Sequence, residues 1–232
     1  MIKYLDHEKM GSADHGWLRS RFHFSFAQYY NPDNMGFGNL RVLNDDLVRP
    51  GTGFETHPHR DMEIISYVVE GELTHGDSMG NRQTLKRGQI QYMSAGTGVW
   101  HSEHNLGQDM LRFLQIWIYP DAQGYPPAYG DYPFPWEDRE GRFLHLVSGK
   151  GGAAPVQISQ DANIYALALE KGEAASFPLA ADRQAYLVQI EGTASVSGHI
   201  LKERDALEAV EESLDIKALE ASHFLLIEMK KG

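Results

Sequence analysis

No cysteine occurs in the 232 residues, which removes disulfides, zinc–thiolate sites and thiol nucleophiles together and fits a reducing, cytoplasmic setting. No apolar run approaches the ~20 residues of a membrane-spanning helix. Met1 to Met10 is charged and lacks an apolar stretch, so neither a membrane partner nor a secretory leader is expected. Positive charge is scarce: 21 Lys and Arg against 32 Asp and Glu leave a net charge of −11, which argues against direct binding to nucleic-acid phosphates. The densest basic run, Lys202–Glu203–Arg204, is diluted by glutamate, and both it and the acidic set Glu208, Glu211 and Glu212 read as solvated faces. Hydrophobic content of 42% with 23% charged residues is that of a folded globular chain, long enough for one large or two ordinary domains.

What the chain does have is β pattern throughout. Short apolar or alternating runs recur at Phe22–Phe26, Leu40–Leu43, Ile64–Val69, Gln89–Met93, Leu111–Ile118, Ile164–Leu169, Tyr186–Ile190 and Phe224–Ile227. Turn signals such as Pro50–Gly51, Glu70–Gly71 and Arg87–Gly88 separate them, the spacing of an all-β sandwich or barrel. A weak internal repeat is also legible. Gly51 and Glu70–Gly71 in the first half match Gly172 and Glu191–Gly192 in the second at a common offset of 121 residues, and each Glu–Gly ends an apolar run.

Eleven histidines is a high count, and most precede Asn105. Two short pairs stand out among them, His57–Pro58–His59 and His101–Ser102–Glu103. Residues i and i+2 of a strand share a face, roughly 7 Å apart, and neighbouring strands lie ~5 Å apart. Two such pairs on adjacent strands bring four side chains to one point. Imidazole and carboxylate without sulfur admit iron, manganese, nickel, copper or zinc. One H-x-H alone is as readily a crevice pair; the second pair and the barrel-like patterning around both favour a metal. At the repeat offset His57 falls on Pro178 and His59 on Ala180, so the second copy keeps the scaffold without the ligands and one metal site is expected.

Gly51–x5–His57–x–His59 through Gly71 resembles the first cupin motif, and Gly88 through Ser94–Ala95–Gly96 to His101–x3–Asn105 the second. Ser94 stands where proline is usual, and Glu63 follows the second histidine by four residues where many cupins have five. Longer stretches are similar to the pirin family: Phe24–Ser25–Phe26–Ala27, Met35–Gly36–Phe37–Gly38, Leu40–Arg41–Val42–Leu43–Asn44–Asp45–Asp46, His57 to Glu63, Met93 to Val99 and His101–Ser102–Glu103. The likeness is dense from about Gly16 to Pro120. It implies a bicupin, all-β, with two antiparallel β-barrel or jelly-roll domains facing each other. The expected division is 1–122 for the metal-bearing domain, 123–141 for a Pro-, Gly- and Tyr-rich crossing segment, and 142–232 for a second domain without ligands. The resemblance implies one divalent metal, iron(II) first with manganese, nickel, copper and zinc as alternatives, held by His57, His59, His101 and Glu103. It further implies quercetin 2,3-dioxygenase-like activity on a small flavonol-like substrate, for which Glu103 is the candidate base because a carboxylate at the metal can take a proton and keep it close. The alternative from the same family is a non-catalytic, metal- or redox-dependent regulator with a protein partner, of the kind that acts as a transcription cofactor.

Other residues carry weaker expectations. Glu63 is either an acceptor orienting a ligand histidine or an ordinary strand carboxylate. His104, between Glu103 and Asn105, alternates away from the site, and His104 and His75 are expected at the surface. Asp61 reads as a polar rim group, and Gly96 and Gly98 as turn residues before His101. Phe22, Phe24 and Phe26 alternate as core residues of one strand, and Met93 and Trp117 are candidates for a cavity wall.

Overall fold

A computed structural model describes Met1 to Lys231. It is all-β apart from two short 3-10 turns, and among the described residues no helix is long and apolar enough to cross a membrane. The chain divides into two compact units. One comprises Met10–Phe134 with Ile158–Gln160; the other comprises Met1–Lys9, Pro135–Gln157 and the residues from Asp161 onward.

The first unit has a seven-stranded sheet in the order β12 (Ala128–Tyr132), β9 (Ile90–Ser94), β6 (Glu63–Glu70), β11 (Leu111–Ile118), β4 (Leu40–Val48), β3 (Leu18–Phe22), β2 (Gly11–Asp14). A four-stranded sheet, β5 (Thr52–His59), β10 (Val99–Asn105), β7 (Glu72–Asp77), β8 (Arg82–Lys86), faces it. Leu18, Val48, Val68, Leu111 and Phe113 of the larger sheet join Leu73 and Leu85 of the smaller in one apolar core, as expected when two half-buried faces close on each other. Some strands carry buried polar groups on both faces. On β4, for example, Asp45 accepts from Arg112 Nε at 2.9 Å and Nη2 at 2.6 Å, while Asn44 and Asp46 turn to the opposite face.

The second unit repeats the plan. Its seven-stranded sheet runs β1 (Ile2–Leu5), β20 (Ala206–Val210), β17 (Arg183–Glu191), β22 (Ser222–Lys230), β15 (Ala162–Leu169), β13 (Leu144–Gly149), β14 (Val156–Ile158). Its four-stranded sheet is β16 (Ala174–Phe177), β21 (Leu214–Ala218), β18 (Ala194–Val196), β19 (His199–Leu201). The repeated Glu–Gly has a steric cause. Gly71 and Gly192 both have positive φ, 77° and 79°. A Cβ on Gly71 would collide with Met110 and Leu111, and one on Gly192 with Ala221 and Ser222, at the starts of β11 and β22.

The units differ from the expected division at three places. Residues 1–9 belong with the second half, because β1 pairs with β20 from Ile2↔Ala209 to Leu5↔Ala206 and Tyr4 Oη donates to Asp205 Oδ2 at 2.9 Å. The segment 123–141 is not a free crossing: β12 within it is an edge strand on β9, and the boundary falls after Phe134. Ile158–Gln160 joins the first unit, where the backbone N–H of Ser159 donates to Glu63 Oε1 at 3.1 Å and its hydroxyl donates to the same oxygen. Glu63, buried, is therefore an anchor for this segment, and among the described residues no histidine is bonded to it. The run Phe22–Phe26 is also not one strand. β3 ends at Phe22, and Ala27 at φ 50° turns the chain back so that Phe26 bridges Tyr29.

Candidate metal centre

Strands β5 and β10 are antiparallel neighbours, with Val99 opposite His59 and His101 opposite His57. The register then slips: Glu103 pairs with Phe54, so β5 carries one extra residue between the two pairings, a bulge that turns the histidine end of the strand. The three imidazoles converge. Ring centroids are 4.5 Å apart for His57 and His101, 4.8 Å for His57 and His59, and 4.9 Å for His59 and His101. One ligand nitrogen from each lies within 4.8 Å of the others.

The donor chemistry fits a divalent metal. His57 Nδ1 is 2.7 Å from the Glu55 carbonyl. A carbonyl only accepts, so Nδ1 carries the proton and Nε2 presents its lone pair, the usual way a backbone carbonyl fixes a ligating imidazole. That Nε2 lies 3.1 Å from His101 Nε2. Burial, then repulsion from His101 and His57, pushes His59 down to about 4. Burial with the His57 and His75 charges pushes His101 down to about 3. Near neutral pH His59 and His101 are therefore uncharged bases, and the three converging rings are a set suited to iron, nickel, copper or zinc.

Glu103 is the fourth residue expected here, and its carboxylate stands outside the cluster of imidazole nitrogens. Oε1 accepts from Ser66 Oγ at 2.7 Å and Gln91 Nε2 at 2.8 Å, and Oε2 accepts from Gln115 Nε2 at 2.6 Å. Those donors form a row across the larger sheet, because Gln115 pairs with Ser66 and Ser66 with Gln91. Glu103 thus reaches from the small sheet into a polar band on the inner face of the large one.

His57, His59, Glu103 and Gln115 border a cavity of about 590 Å3, within the range of small-molecule sites. Much of its wall is aromatic: Trp17, Phe22, Phe26, Phe54 and Trp117. Trp117 lies edge-on to His59 at 4.9 Å and to Phe26 at 5.5 Å. Phe22 and Phe26 therefore line the cavity, whereas Phe24 is core. Met93 packs with Ile64, Ala95 and Val99 in the core.

Two histidines need separate mention. His104 faces away from the cluster, as alternation requires, and approaches Glu55 Oε1 at 3.3 Å. His75 is fully buried, not superficial: it pairs with Glu103 across β7 and β10, meets Asp77 Oδ2 at 3.0 Å and stacks on Tyr129 at 4.5 Å. Asp61 accepts from the Gly124 backbone N–H at 2.7 Å and so fastens a loop rather than the cluster. The sequence reading missed Asn44, Asp46, Ser66, Gln91 and Gln115. Its available signal was polar residues set inside otherwise buried strands.

Residues 5–118 match the family model described as Pirin, and residues 145–229 match one described as Quercetinase C-terminal cupin domain. The chain is 46% identical, over 99% of its length and all of the relative's, to a Pseudomonas aeruginosa protein whose name assigns quercetin 2,3-dioxygenase provisionally. It is 39% identical to the quercetin 2,3-dioxygenase of Escherichia coli, over 99% of each chain. The crystal structure of the E. coli bacterial pirin YhhW in complex with nickel(II) superposes over 100% of both chains with a TM-score of 0.93 at 38% identity.

Proposed function

Because this chain belongs to the pirin family, we propose that it is a metal-dependent dioxygenase of flavonol-like aromatic substrates. The observation that carries this reading is the convergence of three imidazoles, two of which (His57 and His59) line an aromatic cavity of about 590 Å3. His57, His59 and His101 would hold one divalent metal, iron(II) in our reading, with Glu103 as the fourth ligand. A relative holds nickel(II), which the same nitrogen-rich set also accepts.

When bound, the metal supplies a positive charge that makes a coordinated hydroxyl acidic. The remaining work belongs to the side chains. Glu103 takes the proton of the substrate's 3-hydroxyl at a carboxylate oxygen, and Ser66, Gln91 and Gln115 hold that carboxylate in position. Phe22, Phe26, Phe54 and Trp117 hold a flat ring system and exclude water. In the overall reaction both atoms of dioxygen enter the ring-opened product, two carbon–carbon bonds of the central ring break, and one carbon leaves as carbon monoxide.

The test is dioxygen uptake and carbon monoxide release with quercetin, on protein whose metal content is known. One carbon monoxide per dioxygen is expected. Near-stoichiometric metal without turnover in the iron, manganese, nickel, copper and zinc forms would replace this reading with a metal-dependent binding protein.

A further inference from the structure

The cavity wall has a polar part that neither the histidines nor Glu103 uses. Asn44 and Asp46 lie two apart on β4 and so share a face, and both line the cavity. Each is only 3% exposed. Asn44 sits between Phe22 of β3 and Gln115 of β11; Asp46 sits between Ser20 and Phe113. Asn44 Oδ1 and Asp46 Oδ1 have no hydrogen-bond partner among the described residues. Their neighbours on the same face behave differently, since Ser66, Gln91 and Gln115 all donate to Glu103. Asn44 and Asp46 thus combine a place on the cavity wall with an acceptor that no described residue satisfies.

Buried polar atoms are almost always paired, and an orphaned one calls for a reason. A carbonyl-type oxygen needs a donor, and water can supply it until a ligand enters. A ligand that displaces that water must bring its own O–H or N–H, or lose roughly tenfold or more in affinity for each acceptor it leaves bare. The aromatic residues in the same lining favour flat rings as the entrant.

Building on the dioxygenase reading, we infer that Asn44 and Asp46 are specificity-determining acceptors for hydroxyl groups on the aromatic ligand, so that the cavity takes polyhydroxylated rings and rejects their unsubstituted counterparts. These residues do not hold the metal. They read the part of the ligand away from it.

The test is calorimetric binding without dioxygen, using quercetin and 3-hydroxyflavone. The two share a skeleton and the 3-hydroxyl, and only quercetin carries the four other hydroxyls. The protein should bind quercetin at least tenfold more tightly. Asn44→Leu is close in volume and removes an unsatisfied group, so it should fold with an unchanged or raised Tm. It should shrink the preference to about threefold or less by weakening quercetin while 3-hydroxyflavone affinity holds. Asp46→Leu should shrink the preference in the same way. Equal affinities for the two ligands in the unaltered protein, or an undiminished preference in the folded variants, would overturn the inference and leave the dioxygenase reading standing. Selective quercetin binding without oxygen uptake would do the reverse, and no binding of either ligand would overturn both.

Discussion

The two units use one strand plan for opposite ends. In the first, Gln91, Ser66 and Gln115 form a row across β9, β6 and β11. The strands that occupy those places in the second unit set Leu207, Leu187 and Leu226 in the same row. His101 lies opposite His57 in one small sheet; in the other, Leu214 lies opposite Phe177. Ile216 stands opposite Val196 where Glu103 stands opposite His75. All of the apolar substitutes belong to one buried core. A polar site of this kind therefore comes as a set: ligands on the small sheet need donors on the large one, and where the ligands are absent the donors are absent too.

The largest test of that contrast removes the ligands. His57→Ala/His101→Ala should lower bound metal from about one ion per chain to a trace by elemental analysis, and turnover with it. Since His57 is only half-buried and the apolar core lies elsewhere, the variant's metal-free fold should be retained by circular dichroism. Glu103→Gln should be milder in metal content and still severe in rate, about 10²–10⁴-fold in kcat, the usual worth of a positioned base. Full turnover in that variant would sink the base role.

Exchanging side chains between the units sharpens the comparison. Leu187→Ser puts the Ser66 side chain where no carboxylate waits. It should cost about 5 kcal/mol by urea denaturation, from lost apolar burial, a cavity and an unpaired hydroxyl. The mirror-image loss, Ser66→Ala, removes one of several donors to Glu103 and should cost about 1–2 kcal/mol.

Between these lies a pH effect. Burial pushes Asp46 up to about 7, with the Asp45 and Glu103 charges adding to it and the Ser20 hydrogen bond opposing it. An acid raised in the folded state favours folding below its unfolded value near 4. As pH rises from there through about 7, the unfolded chain ionises first and stability falls. Asp46→Asn should cancel this loss. The variant should gain up to about 4 kcal/mol on the parent between pH 4 and pH 8, read from denaturation curves at both pH values. A parallel pH dependence in parent and variant would refute the assignment.

Much of this was legible in the sequence, for reasons particular residues make plain. The convergence of His57, His59 and His101 could be anticipated because an i, i+2 pair on a strand needs no knowledge of register to share a face, and the same alternation turns Glu103 inward to Ser66, Gln91 and Gln115. The repeated scaffold could be found because Gly71 and Gly192 meet the same steric demand. What escaped depends on partners distant in the chain. Glu63 is explained by Ser159, 96 residues away, and Tyr4 by Asp205, 201 residues away. His75 was misplaced at the surface, and Asn44 and Asp46 were not identified, because their settings follow from which strand lies alongside, and no local pattern encodes that.

The pairing of β1 with β20 bears on how the chain is made. Ile2 to Leu5 are translated about 200 residues ahead of their hydrogen-bonding partners, Ala206 to Ala209. At about 5–20 residues per second that is a wait of about 10–40 s. For that interval a strand-forming tetrapeptide is exposed with nothing to pair with. Lys3, which ends beside Glu208 at 3.2 Å, gives it a charge of the kind that discourages premature strand pairing. The second unit's sheet can thus complete only after β20 has been made, when it takes back an edge strand translated about 200 residues before it.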